Sequence, residues 1–348
     1  MNESINLLMR LIATPSVSRH EEVTADILQQ YLLEMGLSPL RFGNNVAALS
    51  VSHSEGKPNL LLCSHHDTVK PVAGYSRDPF VPVIESGRLY GLGSNDAGGA
   101  LVCLIEVFLQ LRSIDLPYNP ILALCAEEEV SGAGGLHLLL SHLPPIDAAI
   151  IGEPTGMQAA IAERGLMVLD GEAVGVSGHA AHGEGTNAIY RAMEDIQRLR
   201  NFRFEKVSPI MGNVHIQVTQ ITGGVQHNVV PDRCCFVADV RSTDVYSNLE
   251  IHTLLQNSVQ SKLTPRSLHH SASVTPVDSP VMKAVQSAEI STYVSPTTSD
   301  WIHLQCPAVK MGPGQSCRSH SADEYIELLE IEEGFNSYMK LIQHLKKL

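Results

Sequence analysis

The chain has 348 residues, 44% of them hydrophobic and 18% charged, and a formal net charge of −13. This composition can build a buried core and excludes a disordered chain. The acidic balance argues against a nucleic-acid or anionic-membrane partner, since both need a basic surface, and no apolar run reaches the ~18 residues of a membrane-spanning helix.

The first segment, "MNESINLLMRLIATPSVSRHEE", has no basic n-region, and Arg10 interrupts its apolar stretch. It reads as an amphipathic helix, not a signal peptide. Seven cysteines are scattered without a CxxC pair. Cys63, Cys103 and Cys125 fall inside apolar runs and are expected to be small buried hydrophobes in a reducing cytosol, so a cytoplasmic protein is expected.

Ser18 and Glu21 have the spacing of a capping box, and Val23, Ile27, Tyr31 and Met35 follow at helical spacing up to Gly36, which is placed to end the helix. The short apolar runs "VAALSV" and "LLLC" come next, then a long helix through "AGGALVCLIEVFLQL", then "ILALC" and "AAIIG" with helical sequence between them. Short apolar strands alternating with helices predict an α/β fold, a mostly parallel sheet with helices on both faces. After about Arg164 the character changes. "GLMVLDGEAVGVSG", "VHIQVTQITGG" and "RCCFVADVRS" look half-buried, with a helix at "NAIYRAMEDIQRLR". The first style returns with the helix "PVMKAVQSAE" and the glycine-rich "VKMGPGQSC". The expected organisation is a catalytic domain in two parts, 1–164 and 278–348, interrupted by a smaller α+β domain over 165–277.

Several of these strands end in polar clusters. "LLLCSHHDTV" closes on His65, His66 and Asp67. In an extended segment His65 and Asp67 share a side, and a carboxylate beside an imidazole can fix its tautomer and raise its basicity as a metal ligand. An isolated His-x-Asp also fits an ordinary polar turn, to which His66 is assigned. Asp96 sits in "GLGSNDAGGA", just before a helix, where a helix N-cap is the competing reading. "CAEEEVSGAGG" places three adjacent carboxylates at a strand end, which a divalent ion would relieve while leaving one as a base. A solvated acidic loop is the alternative there. "AAIIGEPTG" ends on Glu153, and His320 follows the glycine-rich loop "GPGQSCRSH". Ligands gather at the carboxyl ends of strands in open α/β sheets. Five nitrogen and oxygen donors without a thiolate suggest zinc or a similar divalent ion, as a pair bridged by a carboxylate.

"SHHDTV", "GSNDAGGA", "EEEVSG", "IGEPTG", "GHAAHGEGTNAI", "NVVPD" and "GPGQSCRSH" occur in the order and rough spacing of the dinuclear-zinc deacylases and exopeptidases, and the chain resembles that family over nearly its whole length. The family includes acetylornithine deacetylase, succinyl-diaminopimelate desuccinylase, aminoacylase and glutamate carboxypeptidases. The resemblance implies that His65 and Glu153 hold one metal and Glu129 and His320 the other, with Asp96 bridging. Asp67 would orient His65, and Glu128 would be the general base. Glu127 stands where the family has an aspartate, and Ser319 where alanine is commoner. His179 matches a histidine that usually comes from the partner subunit of a dimer and stabilises the oxyanion, whereas His182 occupies a variable position. Asn228 and Arg241 match positions that contact the substrate carboxylate or the oxyanion, and Thr298 resembles a residue of a substrate-lining loop.

The resemblance further implies two divalent metal ions per subunit, zinc with cobalt or manganese as alternatives, and a cytoplasmic homodimer formed through the inserted domain, which also serves as a lid. The expected reaction is hydrolysis of the amide of an N-acyl amino acid, N2-acetylornithine going to ornithine and acetate in arginine biosynthesis. Acetylcitrulline, succinylornithine, succinyl-diaminopimelate and dipeptides are the alternative substrates. A non-catalytic binding homologue would lack a ligand or the base, and neither is missing.

Overall fold

The computed structural model describes residues 2–348. Its contacts divide the chain into two compact units. The first runs to Ile161 and resumes over Val274–Tyr293 and Ser299–Leu348, and the second comprises Ala162–Ser273 and Val294–Thr298. The sequence reading had left Val294–Thr298 with the third segment. It goes with the second unit, where Ser295 O accepts from Arg164 N at 3.2 Å and Thr298 Oγ1 donates to Arg164 O at 3.0 Å.

The centre of the first unit is four parallel strands, in the spatial order Asn119–Cys125, Asn59–His65, Ala148–Ile151 and Ala308–Lys310. Asn45–Leu49 joins their outer edge antiparallel. Every residue of the four is buried, as continuous apolar runs require when a sheet is covered on both faces. The pleat sorts them into two cores. Leu60, Leu62, Leu122, Leu124 and Ile150 face the helices Gly99–Leu111 and Leu328–His344. Leu61, Cys63, Ile121, Cys125 and Ile151 face Leu136, Leu139 and Trp301. Cys63, Cys103 and Cys125 are all buried, the first and last with sulfurs 3.6 Å apart. The architecture is the α/β class read from the sequence, a mainly parallel sheet with helices on both faces. No helix among the described residues is long and apolar enough to cross a membrane.

The second unit is a four-stranded antiparallel sheet in the order His215–Gly223, Arg233–Ser242, Gly165–Val174 and Lys262–Pro265. Burial alternates along Gly165–Val174 and Arg233–Ser242, so one face is apolar. Met167, Leu169, Phe236, Ala238 and Val240 pack there against the helices Ala188–Asn201 and Asn248–Ser258. A short ribbon pairs Gly178–His179 with Val229–Val230.

Two local expectations fail. The helix Glu22–Glu34 has no capping box at Ser18 and Glu21. Ser18 Oγ instead donates to Asp67 Oδ2 at 2.7 Å, and the buried Glu21 carboxylate accepts from Glu127 N and Asn44 Nδ2 at 3.3 and 3.0 Å. The buried stripe is Thr24, Ala25, Leu28, Tyr31 and Leu32, while Val23 is 58% exposed. Tyr31 is buried and Ile27 and Met35 pack partly buried against the core, as the helical spacing predicts, while Leu28 and Leu32 centre the buried face away from Val23.

His66 is not part of a polar turn. It is buried, with Nε2 2.9 Å from Asn44 O and Nδ1 2.9 Å from Thr24 Oγ1. The carbonyl accepts, so Nε2 carries the hydrogen, and Nδ1 lies against the Thr24 hydroxyl, which also reaches Glu21 O at 3.0 Å. Burial lowers its pKa from 6.5 to about 4. A histidine held neutral in the folded state stabilises above its unfolded pKa and loses that contribution as pH falls through the window from 6.5 to about 4. His66→Gln should therefore be less stable than wild type at pH 7. Urea unfolding at several pH values should show the gap narrowing by roughly 3 kcal/mol on approach to pH 4. A gap independent of pH would contradict the assignment.

Candidate active site

Because the central strands run parallel, their carboxyl ends share one edge, and each hands a polar side chain to it. Asn59–His65 ends on His65 itself. Asn119–Cys125 leads into the Glu127–Glu129 turn, and Ala148–Ile151 leads through Gly152 to Glu153. Asp96 comes from the turn Ser94–Gly98, whose Asp96–Ala97 peptide is cis, just ahead of the helix Gly99–Leu111. His320 follows the short turn Ser316–Arg318. Glu127 and His320 adopt φ of 55° and 56°, a left-handed conformation that costs a non-glycine residue about 1–3 kcal/mol.

These residues meet in two clusters that share one carboxylate. His65, Asp96 and Glu153 form the first, and Asp96, Glu129 and His320 the second. Asp96 Oδ1 lies 3.3 Å from His65 Nε2, and Oδ2 lies 3.6 Å from His320 Nε2. His320 Nε2 is also 2.9 Å from Glu129 Oε2. Glu153 Oε1 and Glu128 Oε2 stand 3.8 and 3.9 Å from His65 Nε2. His65 Nε2 is buried and makes no hydrogen bond. A buried ring nitrogen ringed by carboxylates and hydrogen-bonded to none of them fits a lone pair directed at a cation.

A set of supporting bonds fixes these groups. Asp67 Oδ1 is 3.4 Å from His65 Nδ1. The same carboxylate accepts from the backbone N–H of Glu128 at 3.1 Å and of Glu129 at 3.2 Å, and Ser18 supplies a further donor. Asp67 thus secures the histidine and the glutamate turn together. Glu324, which the sequence reading did not single out, is 2% exposed and accepts from the N–H groups of Gly93, Asn95 and Asp96. Asn95 was also missed. Its Oδ1 accepts from Gln315 N at 2.8 Å, and its amide donates to Gln315 O and Ser319 Oγ at 3.1 and 3.3 Å. Gly314 has φ +86°, and a Cβ there would collide with Asn95 Oδ1. The glycine-rich loop is thereby seated against the Asp96 turn.

The electrostatics reflect crowded negative charge. Burial, then the charge of Glu153, pushes the Glu128 carboxyl well above the usual range. Burial raises Glu153 to about 8, with His65 opposing and Asp96 reinforcing the shift, and it raises Glu324 to about 8, again with Asp96 reinforcing. Burial alone would lower His65, yet its contacts with Asp67 and Asp96 and the charges of Glu128 and Glu153 raise it well above 6.5. Desolvated carboxylates beside two imidazoles want positive charge, and the donors are nitrogen and oxygen without sulfur. That set fits a zinc-like divalent ion in each cluster, with the Asp96 oxygens divided between them.

The remaining candidates lie in the second unit. His179 Nδ1 accepts from Ala181 N at 3.2 Å, and its ring centroid is 4.9 Å from that of His182. His179 pairs with Val229 across the ribbon, and Asn228 O accepts from Ala180 N at 3.0 Å, so His179 and Asn228 are neighbours. Arg241 makes a two-pronged ion pair with Asp239 at 2.8 and 3.1 Å, and its Nη1 is 3.4 Å from Thr298 Oγ1. The Asp239 partner was readable, since residues two apart on a strand share a face.

The chain is similar to several known proteins. Acetylornithine deacetylase of Proteus mirabilis (strain HI4320) is 27% identical over 361 residues, covering 94% of this chain and 93% of its own. Among solved structures, an M20-family metallo-carboxypeptidase from Sulfolobus solfataricus has a TM-score of 0.80 at 17% identity, covering 99% of this chain and all of its own. A dinuclear metal-binding M20 peptidase from Bacillus subtilis has a TM-score of 0.75 at 14% identity, covering 100% of this chain and 99% of its own. With residues 61–344 matching its sequence model, the chain belongs to peptidase family M20/M25/M40, a family of metal-dependent hydrolytic enzymes.

Proposed function

We propose that the protein is a cytoplasmic dinuclear zinc deacylase that hydrolyses the amide of an N-acyl amino acid, with N2-acetylornithine as its substrate and ornithine and acetate as products, a step of arginine biosynthesis. The observation that carries the chemistry is the pair of ligand clusters joined through the two oxygens of Asp96. The substrate is supported by the motif resemblance and by the acetylornithine deacetylase relative that matches nearly end to end.

In this reading His65 and Glu153 would hold one ion and Glu129 and His320 the other, with Asp96 serving both. Cobalt and manganese suit the same donors. Bound ions of this kind act as Lewis acids and lower the pKa of water to about 7. Asp67 keeps His65 in the tautomer that presents Nε2 to the site. Glu128 is the general base. Burial and the nearby Glu153 raise its proton affinity, the direction required of a base that works near neutral pH. It takes a proton from the attacking water and returns it to the leaving amine, so the amine departs neutral. In a homodimer formed through the inserted domain, the partner subunit's His179 donates to the oxyanion, and Asn228, Arg241 and Thr298 contact the substrate. Arg241 would then exchange or share its Asp239 partner with a substrate carboxylate.

Amine release from N2-acetylornithine, N2-acetylcitrulline, N2-succinylornithine, N-succinyl-diaminopimelate and several dipeptides tests the reaction. Preferred turnover of acetylornithine is expected, and cleavage confined to dipeptides would overturn the substrate. Glu128→Ala should lose about 10²–10⁴-fold in kcat while metal analysis still finds two equivalents per chain. Asp96→Ala should fall below two equivalents, because it removes a ligand from both clusters. His179→Ala should lower kcat with metal content unchanged.

A further inference from the structure

Glu324 lies four residues beyond His320 and is buried beneath the Asp96 turn. Its Oε1 accepts from Asn95 N at 2.8 Å and Asp96 N at 2.9 Å, and its Oε2 from Gly93 N at 3.1 Å. Its own carbonyl accepts from Gly91 N at 2.9 Å. The strand Tyr325–Glu327 that follows pairs with Arg88–Tyr90, fixing the approach to the turn from the other side. One side chain therefore satisfies three donors, the N–H groups of Gly93, Asn95 and Asp96, in an irregular turn.

The bond to Asp96 N bears on chemistry as well as on folding. Rotating Asp96 about its backbone swings the carboxylate whose oxygens lie 3.3 and 3.6 Å from His65 and His320. Moving Glu324 also moves the segment that carries His320. We propose that Glu324 is a positioning residue, holding Asp96 and His320 in one rigid frame so that both ions can be bound at once. The inference rests on the dinuclear reading above.

Glu324→Gln preserves volume but turns an acceptor into a donor that faces a backbone N–H. Glu324→Asp keeps the acceptors on an arm one methylene shorter. Each full-length protein would be stripped with a chelator and titrated with Co(II) alone, reading equivalents, affinity by chelator competition, and the visible ligand-field spectrum. Wild type should take two equivalents. Glu324→Gln should keep its far-UV circular dichroism, bind the weaker equivalent roughly 10–100-fold less tightly and show an altered visible band. Glu324→Asp should fall between the two, and it carries the test alone if Glu324→Gln does not fold. As a control for lost stability, Phe108→Ala in the distant helix core should lower the melting temperature without changing either affinity. Wild-type affinities and spectrum in the Glu324 variants would overturn the proposal. So would loss of cobalt affinity in Phe108→Ala equal to theirs, since stability alone would then account for it. Fewer than two equivalents in the unsubstituted protein would instead overturn the dinuclear reading, and the proposal with it.

Discussion

Asp96, Glu128, Glu129 and Glu153 converge on two imidazoles at the carboxyl edge of a parallel sheet, and like charges at that spacing repel more strongly as water is excluded. No single element could hold them there. The fold answers by bringing them from three different strand ends or turns and tying the backbone of two of these turns to segments far away in sequence. Asp67 grips the turn of Glu128 and Glu129, and Glu324 grips the turn of Asp96. The buried strands beneath supply the stability against which this repulsion and the left-handed backbone at Glu127 and His320 are set.

The parts of the site that follow a continuous apolar run were legible in the sequence. His65, the glutamates after "ILALC" and Glu153 each stand where a buried strand turns polar, a change that strand physics leaves unexplained unless the end has a task. Asp96 and His320 were legible through flanking glycines, which mark tight backbone. Glu324 and Asn95 gave no such signal. "SADEY" looks like any solvated loop, and its carboxylate gains meaning from three N–H groups about 230 residues earlier in the chain, a contact invisible to local pattern.

Ser18 and Glu21 show the converse error. Their spacing satisfies a strong local rule, yet both side chains find better partners in Asp67, Asn44 and Glu127, and the helix begins without them. Local signals lose where a buried polar network offers bonds of higher worth. In the second unit the alternation along Gly165–Val174 and Arg233–Ser242 was plain, because one face meets helices and the other does not.

His65 and His66 have opposite duties on adjacent residues of one strand end. The first presents a bare nitrogen to carboxylates, and the second is locked neutral between Thr24 and Asn44. Slippage of the strand by one residue would bring His66 to the catalytic side, but the residue two beyond it is Thr68, with no carboxylate to orient a ring or to hold the glutamate turn. Asp67 would meanwhile be carried into the pocket between Thr24 and Asn44 that His66 fills. The doubled histidine thus works as a parity check: a mispaired chain still offers an imidazole, yet it cannot assemble the rest of the centre around it.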